Sequence, residues 1–146
     1  VMRALARVLA FMVVAPAAAQ VSTPIVEDAW VMAPMPSATE AAAYLSVRNV
    51  SGDRLLSVSC DCATRADLHD MRLVDGVMQM RPMRYGLAAD DGGALSFRAG
   101  GAHIMLVGLA SRLRAGDRVR LRLTFEDAGV VEAEAVVRRP GAHQHH

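Results

Sequence analysis

Lysine is absent from this chain; all 16 of its basic residues are arginine. Coding bias accounts for that, and nothing in the arginine placement points to phosphate binding. Excess charge of either sign is absent too, with 16 basic against 15 acidic side chains, which excludes the basic footprint of a nucleic-acid binder. Aromatic residues make up only 4% of the chain, and cysteine occurs twice, as Cys60 and Cys62. No helix of normal length, no internal repeat and no linker can be traced. One apolar run stands out, Val8 to Ala15. It is too short to span a bilayer comfortably. Preceded by Arg3 and Arg7 and followed by Ala17-Ala18-Ala19 before Gln20, it reads as an export signal over residues 1–19. The expectation is therefore an exported chain, outside the cytoplasm and without stable membrane insertion.

Beyond residue 19 there remain 127 residues, enough for one domain with a real core. This part carries 14 Arg and 15 acidic groups, a formal charge of −1. The domain is expected over residues 20–139, with a short His-rich flexible tail at 140–146. The punctuation is that of an all-β protein. Ala42 to Arg48 alternates and stops at Asn49-Val50-Ser51-Gly52, and Leu55 to Cys60 follows. Leu68 to Leu73 and Val77 to Met83 flank Asp75-Gly76, a dipeptide that favours a two-residue hairpin turn. Later runs are Leu95 to Arg98, His103 to Leu109, Arg118 to Phe125 and Val130 to Arg138. In the last two, apolar and charged residues alternate, so one face is buried and one is wet. Glu132 and Glu134 should meet Arg120 and Arg122 across the sheet. Seven to nine short strands predict a β-sandwich or small barrel. Trp30, Tyr44 and Phe125 are expected in the core. Met32 and Met35 fall in a stretch rich in Pro and Ser, where an exposed loop is expected.

Methionine is frequent for so short a chain, and Met71, Met78, Met80 and Met83 crowd into one stretch. If Asp75 and Gly76 form the turn, Val74 pairs with Val77, Leu73 with Met78, and Met71 with Met80. His69, Met71, Leu73, Met78 and Met80 then share one face, and Leu68, Asp70, Arg72, Gln79 and Arg81 the other. His69 lies diagonal to Met80 at roughly 7 Å. In His103-Ile104-Met105, the first and third residues of a strand share a face at about 6.6 Å. Two imidazoles and two thioethers, from His69, Met80, His103 and Met105, form a candidate metal site. Met71 and Met78 are accessory candidates, although Met on a strand commonly fills the core. Thioethers are poor ligands for Zn²⁺, Ca²⁺ or Mg²⁺, whereas Cu(I) accepts sulfur and imidazole together. Thioether sulfur also carries no proton to lose near neutral pH and forms no disulfide.

Cys60-Asp61-Cys62 admits a disulfide, a Cu(I)-binding dithiolate or a reduced pair. His143, His145 and His146 cluster at the C-terminal tail, where they could take a second, weaker copper as Cu(II).

The segments from Ala29-Trp30 through AAAYLSVRN, LHDM, DGVMQMRPM and GGAHIMLVGL to RAGDRVRLRLTFEDAG resemble the periplasmic copper chaperones called PCu(A)C, over nearly all of residues 29–137. That family's pattern is His or Met, ten residues, Met, about twenty-one residues, then His-x-Met. Here His69 and Met80 enclose ten residues, and Met80 and His103 enclose 22, one more than usual, in the loop Ala88 to Gly93. The resemblance implies a cupredoxin-like Greek-key β-sandwich, a monomer that binds one Cu(I) and delivers it to the Cu(A) site of cytochrome c oxidase, directly or through a Sco-type protein. It implies no enzymatic turnover. A copper buffer serving tolerance shares the same site, and a thiol-disulfide oxidoreductase working through Cys60 and Cys62 is the remaining alternative.

Overall fold

The computed structural model describes residues 23–141. Regular structure over that span is entirely strand: β1 (Ile25–Met32), β2 (Glu40–Arg48), β3 (Arg54–Cys60), β4 (Ala63–Val74), β5 (Val77–Pro82), β6 (Leu87–Ala88), β7 (Leu95–Phe97), β8 (His103–Leu109), β9 (Arg118–Phe125) and β10 (Val130–Arg138). The strand order is β5-β4-β8-β2-β1-β10-β9-β3-β6, with β7 against β2. A bridge from Val58 to Ala66 joins β3 back to β4, so the seven strands from β4 round to β3 close on themselves. The all-β architecture expected from the alternating runs is what forms, and it is cupredoxin-like, as the family resemblance implies. Its interior is filled chiefly by alternate residues of β2, β8 and β9 together with residues of the neighbouring strands, among them Val31, Leu45, Ile104, Leu106, Leu121 and Leu123, all essentially without solvent contact. Each such side chain contributes about 1.5–3 kcal/mol by leaving water.

The β9–β10 hairpin follows its sequence pattern closely. Leu121 and Leu123 point inward, while Arg122 stands directly opposite Glu132 and Arg120 opposite Glu134. Arg122 reaches Glu132 at 3.1 Å, whereas the Glu134 carboxylate turns to Arg118. Phe125 is buried as expected.

Two strands have no counterpart among the expected runs, β1 and the two-residue β6. In β1 the pairing with β2 slips between Glu27 and Trp30, and Asp28 there takes a positive φ of 51°. Such a bulge inserts a residue and scrambles the period of two by which a strand is recognised. Met32 is consequently the half-buried end of β1, not a loop residue, whereas Met35 lies in the following turn and is exposed. Strand β4 also starts five residues earlier than its apolar run, at Ala63. The stretch Ala63–Asp67 has weak β character of its own and becomes strand because β8 pairs along it.

Two features fix the end of the barrel that carries the β4–β5 hairpin. Asp53, buried at the start of β3, accepts hydrogen bonds from the backbone N–H groups of Arg54, Asp127 and Ala128, tying β3 to the β9–β10 turn. Burial would raise its carboxyl pKa, but the backbone donors of Asp127, Arg54, Ala128 and Glu126 outweigh this and hold it below the usual carboxylate value. Gly86, in the turn that leaves β5, has φ of 70°, and a Cβ there would stand 1.9 Å from the Leu55 carbonyl oxygen. Only glycine lets this turn lie against β3.

Candidate metal site

The turn Asp75-Gly76 sets the register of the β4–β5 hairpin. Both residues have positive φ, 49° and 77°, as a type I′ turn requires. Val74 pairs with Val77, Leu73 with Met78, Met71 with Met80 and His69 with Pro82, which is the register expected from the dipeptide alone. His69, Met71 and Met80 therefore share one face, with Met80 one step diagonal from His69.

On the other side of β4 runs β8, whose Ile104 and Leu106 point into the core. Alternation turns His103 and Met105 outward. The pairing of β4 with β8 sets His103 directly opposite His69 and Met105 opposite Asp67, so Met105 is also one step diagonal from His69. The two imidazole centroids are 5.7 Å apart, inclined at 67°. Strands that are remote in sequence thus bring both imidazoles and the thioethers of Met71, Met80 and Met105 to one patch of the outer face.

The hydrogen bonding of the two rings differs. Nδ1 of His103 lies 3.1 Å from the Gly101 carbonyl oxygen. A carbonyl only accepts, so the proton resides on Nδ1, and the lone pair of Nε2 is free to ligate. Nδ1 of His69 is buried without any hydrogen-bond partner. Leaving such a group unpaired costs about 1–3 kcal/mol, a cost that a bound cation would remove. Among the described residues no three His, Cys, Asp or Glu side chains gather as a metal cluster. The sulfur donors beside the two imidazoles on this face are the thioethers of Met71, Met80 and Met105.

His103 is 6% exposed although it faces outward. Continuing the pairing of Ala42 with Met105 and Ala43 with Ile104 by one residue sets Tyr44 beside it. Tyr44 is itself buried, stacks on Trp30 at 4.6 Å and has its hydroxyl pKa raised by desolvation. Arg138 lies over the Trp30 ring at 5.9 Å. Tyr44 is buried, as expected of its type, but on the outer side of β2, where it covers one side of His103; Trp30, packed against it, is only half-buried and not in the core as expected. The signal was present in the sequence: if Ala41, Ala43, Leu45 and Val47 point inward, Tyr44 must point out.

The other candidates are not brought to this patch. Met78 pairs with Leu73, four residues or about 13 Å along the hairpin from His69, and it is exposed. Met83 packs against the core. Cys60 and Cys62 form a disulfide in the turn between β3 and β4. Ala63, next to it, is six residues from His69, about 20 Å along the strand. The disulfide and the separation both set this pair apart from the imidazoles. His143, His145 and His146 lie outside the described residues, as do the proposed signal residues 1–19. No helix among the described residues is long and apolar enough to cross a membrane.

Residues 25–137 match the family model described as "Putative lipoprotein LpqE-like". The chain belongs to this LpqE-like family. A curated relative, "Putative lipoprotein Lxx21020" of Leifsonia xyli subsp. xyli (strain CTCB07), is 32% identical over 104 residues, 70% of this chain and 61% of the relative. The LpqE-like chain thus spans about three-fifths of that protein's length. Among solved structures, the copper-bound PCuAC domain from PmoF2 superimposes with a TM-score of 0.65 at 24% identity, covering 84% of this chain and 97% of that domain. Apo-DR1885 from Deinococcus radiodurans gives 0.62 at 25% identity over 99% of this chain and all of that one. The Cu(I) form of DR1885 gives 0.61 at 26% identity, over 86% and 83% of the two chains. The LpqE-like chain therefore has the fold of PCuAC domains, some of which are solved with copper bound.

Proposed function

We propose that this LpqE-like chain is an exported copper carrier without enzymatic turnover. It binds one Cu(I) through His69, Met80, His103 and Met105 and delivers it to the Cu(A) site of cytochrome c oxidase, directly or through a Sco-type protein. The observation that carries the reading is the His69–His103 pair, facing each other across β4 and β8, with one buried nitrogen unpartnered and thioether sulfur at both diagonals. Imidazole with thioether suits Cu(I) better than any harder ion. Likeness to the Cu(I) form of DR1885 supports the same choice of ion.

Lack of a thiolate on this face matters for delivery. A blue-copper electron-transfer centre needs a cysteine sulfur beside its histidines, and the only cysteines here are paired with each other some 20 Å away. Neutral ligands hold Cu(I) while leaving it open to exchange with an acceptor's thiolates. Met80 is half exposed, so an incoming ligand meets this sulfur before it meets the buried His103.

The test is transfer from the Cu(I)-loaded chain to a soluble apo Cu(A) domain, with and without a Sco-type protein. Appearance of the Cu(A) absorption in either arm, after an added oxidant such as ferricyanide removes one electron per pair of delivered Cu(I) ions, supports delivery. Failure in both, with stoichiometric Cu(I) binding intact, reassigns the chain to copper buffering. Cys60→Ser with Cys62→Ser should leave the Cu(I) stoichiometry unchanged, and loss of the site in that variant would move the ligands to the cysteines.

A further inference from the structure

Strand β5 is the long open edge of this sheet, since among the described residues it pairs with β4 on one side and with nothing on the other, whereas the opposite edge, β6, has two residues. Natural edges are blunted by charge, bulges or brevity. β5 runs six residues with one charged side chain, a proline at its last position only, and no register shift against β4. Pairs in a hairpin alternate between those that exchange hydrogen bonds and those that do not, and the pair closing a two-residue turn exchanges them. Counting from Val74–Val77, Gln79 and Arg81 turn their backbone groups to β4, while Met78 and Met80 turn theirs outward. Two residues whose side chains belong to the copper-bearing face thus also offer the free backbone groups of the edge.

The two faces of this edge differ chemically. On the copper face, Leu73, Met78 and Met80 are exposed hydrophobics. Beside the opposite face a hollow is lined by Asp70, Arg72, Arg81, Arg84 and Tyr85, among others. Asp70, its one acid, is taken by Arg72 at 2.7 Å. Arg81 donates only to the neutral Gln79 side chain, and Arg54 to the Tyr85 carbonyl. Arg54, Arg81 and Arg84 enter no ion pair among the described residues. A second copy of the chain would bring further arginine and no carboxylate to this edge, because β5 contains none.

We propose that β5 is the docking edge for the copper acceptor, which adds an extended segment as a further strand, with carboxylates toward Arg81 and Arg84 and apolar or soft-ligand side chains toward Met78 and Met80. The proposal rests on the delivery reading. Strand addition brings affinity through the main chain and specificity through alternate side chains, and here the alternation places the acceptor's ligands on the face where the exposed sulfur of Met80 lies.

The experiment uses the Cu(I)-loaded chain with the apo Cu(A) domain as probe, at low and high salt, comparing wild type with Arg81→Glu/Arg84→Glu and with the milder Arg81→Gln/Arg84→Gln. Circular dichroism and Cu(I) stoichiometry confirm that both variants fold and load. Charge reversal is expected to slow transfer by about tenfold or more at low salt, and to remove most of the salt dependence. The Met78 and Met80 amides should gain about tenfold protection from hydrogen exchange in the mixture. Transfer at the wild-type rate in both variants, or rapid transfer with those two amides unprotected, overturns the docking edge but leaves delivery standing. Protection without acceptor that rises with protein concentration assigns the edge to a second copy and overturns it equally. No transfer from the wild type sinks the delivery reading, and this proposal with it.

Discussion

The hairpins β9–β10 and β4–β5 are built on the same ladder and present opposite surfaces. Both have uninterrupted antiparallel registers, seven pairs in the first and six in the second. In β9–β10 each apolar residue of β9 enters the core and the outer row is arginine and glutamate. In β4–β5 the segment beyond His69 has no core beneath it, and Leu73, Val77, Met78 and Met80 face solvent. Exposed large hydrophobics in a cluster are an expense that a stable monomer ordinarily avoids. The difference teaches that the outer half of β4–β5 is not organised for stability. On the reading proposed above, Met80 serves the ion, and Met78 with Met80 the acceptor that collects it.

This contrast can be broken at four points, taken from the largest expected effect to the smallest. Replacing His103 and Met105 together by alanine removes two of the proposed ligands. Cu(I) affinity measured against a competing chelator should fall well beyond the 10–100-fold that even an outer-shell partner commands, while circular dichroism stays unchanged. Retained affinity would place the ion elsewhere.

The second point sets one hairpin against the other directly. Leu121→Ala, inside the barrel, should cost about 2–5 kcal/mol in urea unfolding. Leu73→Ala, 68% exposed on the hairpin, should change stability by about 0.5 kcal/mol or less. Equal effects would mean that the outer hairpin is part of the core after all.

Third comes Asp53, which anchors the β9–β10 turn. Asp53→Asn keeps the shape and loses the charge that three backbone N–H groups address, for an expected loss of about 1.5–3 kcal/mol. The folded-state pKa of Asp53 lies below its ordinary value of 3.8. Its contribution is therefore fully present above that ordinary value and is lost as pH falls through the folded-state pKa. Wild type and Asp53→Asn should accordingly converge in stability below about pH 4. A constant difference between them down to pH 2 would contradict the assigned role.

The smallest effect belongs to the exposed ion pairs. Glu132→Gln, which loses contact with Arg122 and Arg120, should cost about 0.2–1 kcal/mol and less in high salt. A larger loss would make the charged outer row of β9–β10 as important to folding as its buried one.

Legibility varied along the chain in a way that physical chemistry explains. Asp75-Gly76 predicted the register of β4–β5 residue by residue, because two consecutive positive φ values admit few residue types and the period of two then carries the pairing outward. Strands β9 and β10 were readable from alternation alone, and β8 from its apolar run between turn residues. By contrast β1 was hidden by its bulge at Asp28. The first five residues of β4 were hidden because their pairing with β8, not their own character, makes them a strand. Trp30 was misplaced into the core, and the outward direction of the buried Tyr44 was missed, because residue type was weighed above alternation.

What the amino-acid order determined by itself is everything that depends on neighbours a few positions apart: the alternation, the hairpin turn, the diagonal of His69 and Met80, and the spacing of His103 and Met105. Only the tertiary structure decided that β8 would lie beside β4, that His103 would face His69, and that Cys60 and Cys62 would stand far from both. Pairing between strands more than thirty residues apart is selected by the joint burial of side chains such as Leu68, Ile104 and Leu106 in one core, and that selection has no local signature to read.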